Sequence, residues 1–253
     1  MSRVALALCL ALGLLTACGE TPSDKETAPE VGACRNLHPG DIDKRTNDTH
    51  TVDCDKAHTA QTFLVSTLPA SSGENYDSPD HGKHVYAVCS KAFARFLGAD
   101  ESMALRTNLR WGWFMASEKG WDKGARWFRC DVVGATASDQ LPELPETAKG
   151  LLRTKGADEW MRCARGASVN PANEVPCSQE HDWRAVTAVK IGKPEESYPG
   201  DRISEVRARD ACSDWVGAWQ NYPVDYTYSY AIFHEAEWKA GNRRAVCWAR
   251  TDQ

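Results

Sequence analysis

Trp121-Asp122-Lys123-Gly124-Ala125-Arg126-Trp127-Phe128-Arg129-Cys130 returns later in the chain as Trp238-Lys239-Ala240-Gly241-Asn242-Arg243-Arg244-Ala245-Val246-Cys247, both reading Trp-x2-Gly-x-Arg-x3-Cys. Working outward, Cys89 and Cys212 stand thirty-five residues after Cys54 and Cys177, and each of the latter has a His four residues on, His58 or His181. A leading cysteine, Cys34 or Cys163, completes four per copy. So many matches at fixed offsets identify a duplicated four-cysteine module, and a long internal period governs every local reading.

Inside each copy the third cysteine predicts a helix. Val85, Val88, Cys89, Ala92, Phe93 and Phe96 fall at offsets of three and four, with Gly98 as a stop; Ala208, Ala211, Cys212, Trp215, Val216 and Trp219 repeat the stripe. Both stripes are expected to be buried. Strands are expected after each His, at Thr62 to Leu68 and Ala185 to Ile191, rich in Val, Thr and Leu or Ile. Two more follow each helix, Leu109 to Ala116 with Ala125 to Val133, and Tyr226 to Phe233 with Arg243 to Arg250. Each pair is joined by a turn holding Trp121 or Trp238, where Gly124 or Gly241 supplies the backbone freedom. The fold class is therefore α+β: two tandem repeats, each a small antiparallel sheet packed with one helix and stapled by two disulfides.

The stapling rests on compartment. Arg3 precedes an unbroken apolar run, Val4 to Leu15, which with Thr16 and Ala17 reads as a signal peptide over residues 1–17, too short to span a bilayer. Leu15-Thr16-Ala17-Cys18 resembles the lipobox of bacterial lipoproteins, which implies lipidation at Cys18 and attachment to the outer face of a membrane by acyl chains. Setting Cys9 and Cys18 aside leaves eight cysteines in an oxidising compartment, four per copy. Three pairings per module are possible. The short separation of Cys163 from Cys177 favours first with second and third with fourth, namely Cys34–Cys54, Cys89–Cys130, Cys163–Cys177 and Cys212–Cys247.

Residues 18–30, acidic and rich in Thr, Pro and Ser, read as a flexible stalk, and 134–150, with Pro142 and Pro145, as a spacer between modules at 31–133 and 151–253. The net charge of −5 belongs mostly to these linkers, because acids and bases number thirteen each over 31–133 and fifteen against fourteen over 151–253. No concentrated basic face exists for nucleic acid.

With Val175-Pro176-Cys177 before His181, Val52-Asp53-Cys54 before His58 and the two Trp-Gly-Arg-Cys closings, the chain resembles the septum formation family, small exported or membrane-tethered domains of actinobacteria. The resemblance implies a cell-envelope protein connected with division and names no chemistry.

The residues add little chemistry of their own. Cys-x3-His invites zinc, but a complete site needs about four ligands and these thiols are expected to oxidise. His234-Glu235 begins a zinc-protease motif and then meets Trp238 where the second His belongs. Paired carboxylates, Glu118 with Asp122 and Glu235 with Glu237, could serve glycoside hydrolysis but fall in the expected hairpins. Candidate binding residues are His58, His181, Trp121, Trp238, Arg126 and Arg243, with no catalytic residue, metal or cofactor assigned. The expected function is a non-catalytic envelope lipoprotein presenting two modules to envelope proteins or cell-wall glycan. The alternatives are a wall hydrolase with an unrecognised active site and a redox or metal-carrying envelope protein.

Overall fold

The computed structural model describes residues 26–136 and 140–251. The expected signal peptide, Cys18 and the first part of the stalk lie outside the described residues. Module 1 carries β1 (Cys34–Arg35), β2 (Thr51–Val52), β3 (Ala60–Thr67), α1 (Asp80–Leu97), α2 (Glu101–Ala104), β4 (Leu109–Met115), α3 (Glu118–Asp122) and β5 (Trp127–Gly134). Module 2 carries β6 (Arg162–Ala164), β7 (Glu174–Pro176), β8 (Trp183–Lys190), α4 (Asp201–Trp219), β9 (Tyr228–Ile232), α5 (Glu235–Ala240) and β10 (Arg244–Arg250).

Each module is a five-stranded antiparallel sheet, in the orders β2-β1-β3-β5-β4 and β7-β6-β8-β10-β9, which are the same arrangement. Even the irregularity is duplicated: the register slips by one residue at Phe63 against β5 and at the matching Val186 against β10. Disulfides join Cys34 of β1 to Cys54 just past β2 and Cys163 of β6 to Cys177 just past β7, and tie helix to sheet through Cys89 to Cys130 of β5 and Cys212 to Cys247 of β10. In the chain-entropy account the short loops contribute about 3 kcal/mol each and the long ones about 4 kcal/mol.

Helix α1 buries Val85, Cys89, Phe93 and Leu97, one row at four-residue spacing, and stops at Gly98 in the left-handed region (φ 80°). Helix α4 buries Ser204, Ala208, Cys212 and Val216 likewise. The wider stripe expected for α4 is corrected here: Trp215 and Trp219 are 57% and 52% exposed. The position of Trp219 in copy 1 is Phe96, whose ring lies 5.7 Å from Phe63 and whose carbonyl receives the Gly150 N–H. In module 2 the place of Phe63 is taken by the shorter Val186, which offers no ring to stack on.

Short helices stand where the sequence suggested simple turns before the closing strand. Ser117 caps α3 by accepting the Gly120 N–H, and Glu118, Glu235 and Glu237 sit in first turns where the helix dipole favours them. Gly124 and Gly241 follow at φ 88° and 123°. Gly241 has a second constraint, since a Cβ there would lie 2.9 Å from the Tyr86 ring of module 1.

The linker segments are docked on the modules. Glu26 accepts from the Ser117 N–H at 3.1 Å and from its hydroxyl, and its carbonyl receives the Trp127 indole N–H, so the described end of the expected flexible stalk sits on module 1. In the expected spacer, Leu144 and Ala148 are buried in the module 1 core, the Leu144 N–H donates to the His58 carbonyl, and the Ala148 N–H donates to Gln61. Apolar residues at these positions made a strap out of a segment that Pro and Glu content marked as a tether.

The two modules interlock. Arg106 donates to the Val186 carbonyl at 2.7 Å, the Ala188 N–H donates to Ser102 Oγ at 2.8 Å, and Arg244 pairs with Glu101 at 2.6 Å. Thr107 forms a β-bridge with Met161, and Met161, Cys163 and Cys177 enter the module 1 core.

Candidate functional site

The residues singled out from the repeat are supports rather than open contacts. His58 and His181 are buried, and in each ring Nδ1 meets the backbone carbonyl two residues back, Lys56 at 2.8 Å and Gln179 at 2.7 Å. That bond fixes the ring at the entry to the long strand and leaves a buried Nε2 without a protein partner in both copies. Among the described residues no group of three or more His, Cys, Asp or Glu side chains is placed to hold a metal.

Trp121 and Trp238 are buried too, each beneath the approach to the long helix: Tyr76 from the preceding loop and His81 from the first turn of α1 lie 5.8 and 5.3 Å from Trp121, and Tyr198 lies 5.6 Å from Trp238. Arg126 lies 3.7 Å over the Trp121 ring and donates to the Trp121 and Ala125 carbonyls. Arg243 lies 5.5 Å over Trp238, and both reach the Glu196 carbonyl. The signature is thus a clasp, in which Trp pins the loop, Gly turns the chain and Arg covers the indole by a cation–π contact of about 0.5–2 kcal/mol. The carboxylates Glu118, Asp122, Glu235 and Glu237 are exposed on α3 and α5.

The large concavity lies elsewhere. A cleft of about 990 Å³ opens between the modules, and none of the six candidate binding residues lines it. Module 1 contributes Tyr86 from α1 with Asn108 and Trp111 from the start of the edge strand β4; module 2 contributes Trp160, Phe233 and Asn242. Tyr86 and Trp111 have ring centroids 5.9 Å apart. Burial pushes the Tyr86 hydroxyl above its ordinary pKa, and the Glu101 carboxylate adds to the shift, so this wall stays neutral and protonated.

Two polar groups in the cleft are incompletely satisfied. Asn242 is 5% exposed and its Oδ1 has no partner; Asn108 Oδ1 is also buried without one, although its Nδ2 donates to the Glu159 carbonyl at 3.3 Å. Of the carboxylates at the rim, Glu101 is held by Arg244, Glu174 by Arg162 through two contacts of 2.5 and 2.9 Å, and Glu159 by the Ser178 hydroxyl at 2.5 Å. Glu143 and Glu237 face solvent at the same rim.

Sequence reasoning passed over Asn108, Trp160 and Asn242. A signal existed for one of them: Asn242 fills the variable position of Trp-x2-Gly-x-Arg, where copy 1 has Ala125. The exchange puts a buried amide at the cleft where copy 1 has only a methyl group.

Comparison with curated proteins and with solved structures finds no match to the chain. The model of the septum formation family matches twice, over residues 19–115 and 105–247. Together the two matches span all of 19–247, overlapping over 105–115, and they follow the order of the two modules. The chain belongs to the septum formation family and carries two copies of its domain in tandem.

Proposed function

We propose that this protein is a non-catalytic lipoprotein of the cell envelope, anchored through Cys18 on the extracytoplasmic face, that binds envelope proteins or wall polymers in connection with septum formation. One observation carries the binding role: two disulfide-stapled modules are locked into one body whose contact leaves a large half-apolar cleft open. Four disulfides suit an oxidising compartment, and no described helix is long and apolar enough to cross a membrane, so a lipid on Cys18 would supply the attachment. The non-catalytic part is supported by the two repeat histidines, His58 and His181, which are buried and tied to backbone, away from the cleft.

The test is crosslinking of the full-length protein in intact cells of its host, followed by mass spectrometry, with Cys18→Ala as comparison. Division proteins, wall-synthesis proteins or wall fragments are expected among the products, with Cys18→Ala released from the membrane fraction. Release of soluble fragments from purified wall, abolished by Glu237→Gln, would overturn the non-catalytic reading in favour of a hydrolase.

A further inference from the structure

The cleft states what kind of ligand completes it. Two buried side-chain oxygens of its lining, Asn108 Oδ1 and Asn242 Oδ1, have no hydrogen-bond partner. The orientation at Asn108 follows from its Nδ2, which must donate to the Glu159 carbonyl. An acceptor buried without a donor is costly, so the complement is a ligand that brings O–H or N–H groups deep into the cleft. Around these oxygens stand half-buried aromatic rings, Trp111 and Trp160, and Glu143 and Glu237 add acceptors at the rim. Carboxylates outnumber guanidinium groups along the lining, which disfavours phosphate-bearing or other anionic polymers.

We propose that the inter-module cleft binds a segment of neutral or amino-sugar glycan, with ring C–H faces on Trp111 and Trp160 and hydroxyl or N–H donors on the Asn108 and Asn242 oxygens. This rests on the wall-polymer branch of the function proposed above and gives it a site. A pyranose supplies together an apolar face for the aromatic rings and donors for the two oxygens. An extended peptide alternates donors and acceptors along its backbone and leaves its carbonyls facing the Glu-rich rim. A volume of about 990 Å³ is at the top of the ordinary range for small-ligand sites, room for several linked sugars rather than one.

The experiment is calorimetric titration of the disulfide-intact protein with chitotetraose, with its deacetylated tetramer, and with trilysine as the peptide arm. Asn242→Leu and Trp160→Ala are each expected to weaken tetramer binding about tenfold, the loss of one well-made buried contact. Glu143→Gln, an exposed change that leaves the fold alone, is expected to weaken only the amine-bearing tetramer, about two- to threefold. Trp219→Ala, on an exposed ring that does not line the cleft, serves as the control and is expected to change nothing. The proposal is overturned if neither tetramer binds at millimolar concentration, if binding survives both cleft substitutions, or if trilysine alone binds. Should the sugars fail while cellular crosslinks persist in Asn242→Leu, the envelope-binding function stands and the glycan cleft falls. Should the crosslinks vanish in the wild type as well, the function fails with it.

Discussion

Duplication supplies a control experiment inside the molecule. On the sheet face turned away from α1, Arg129 pairs with Asp131 at 2.9 Å, Thr62 donates to Asp131 at 2.7 Å, and Arg35 donates to Thr62 at 2.8 Å, all four side chains being buried. Counting from the matching cysteines, module 2 has Ala164, Ala185, Val246 and Trp248 at these positions, an apolar cluster. Register confirms the equivalence, since Thr62 faces Asp131 across the ladder as Ala185 faces Trp248. One fold therefore tolerates both a charged and an apolar solution in the same place.

Removing one member of the charged solution is expected to be severe. Asp131→Ala leaves two buried guanidinium groups without their carboxylate; burial and the neighbouring Arg129 already depress the Arg35 pKa, and Asp131 is what opposes that shift. Breaking a buried pair in this way costs about 3–5 kcal/mol. For a chain of this size each kcal/mol lowers Tm by about 2–4 °C, so a fall of about 6–20 °C is expected. Installing the module 2 solution, Arg35→Ala with Thr62→Ala, Arg129→Val and Asp131→Trp, is expected to recover most or all of that loss, because an apolar replacement escapes the desolvation penalty. Thermal and urea denaturation under non-reducing conditions measure both. An Asp131→Ala cost below about 1 kcal/mol, or a quadruple variant less stable than the single one, refutes the reasoning.

Gly241→Ala is expected to destabilise by more than Gly124→Ala: both positions have positive φ, at about 1–3 kcal/mol of strain, but only Gly241 also meets Tyr86 across the module contact, and urea midpoints compare them. Accessible thiols are expected to be absent from the native exported chain and to number eight after reduction, by titration with a thiol reagent before and after treatment. His234 has its pKa raised by the hydrogen bond its Nδ1–H donates to Asp201, whose own pKa is lowered by Tyr198 and His234. The sign for a raised His is stability present below its ordinary pKa and lost as pH climbs through the folded value; for the depressed Asp it is stability lost as pH falls through its folded value. The pair is therefore strongest between the carboxylate and imidazole ranges, and Asp201→Asn is expected to lower the His234 pKa in an NMR titration; no change sinks the assignment.

The architecture was legible because its determinants are short-range or covalent. Cysteine spacing marks two modules, Val85, Cys89 and Phe93 mark one helix face, and Gly124 and Gly241 mark two turns whose left-handed backbone the structure contains. The α4 stripe misled because periodicity reports which residues share a helix face and not whether the neighbouring element reaches it; a single exchange, Val186 for Phe63, leaves Trp219 uncovered. The strap misled for the converse reason, since Leu144 and Ala148 are too few to register as a pattern and bury only against a surface built elsewhere. The site was illegible as a site, because Tyr86, Asn108, Trp160 and Asn242 are scattered along the chain and converge only through the packing of one module on the other.

That convergence sets the cleft apart from everything the duplication repeats. Had each module carried its own ligand site, the repeat would show it twice, as it shows the buried histidine and the tryptophan clasp twice. The cleft instead takes α1 and the start of β4 from module 1 but Trp160, Phe233 and Asn242 from module 2, so unlike faces of like domains build it. Position by position, Asn242 is alanine in copy 1, and Gly241 is pressed against Tyr86, the residue that forms the opposite wall. The closing signature of module 2 thus has two functions that its twin does not combine: it clasps its own tryptophan and it seats one module on the other at the edge of the cleft. The cleft is in consequence a property of the pair, because neither module by itself supplies both of its walls.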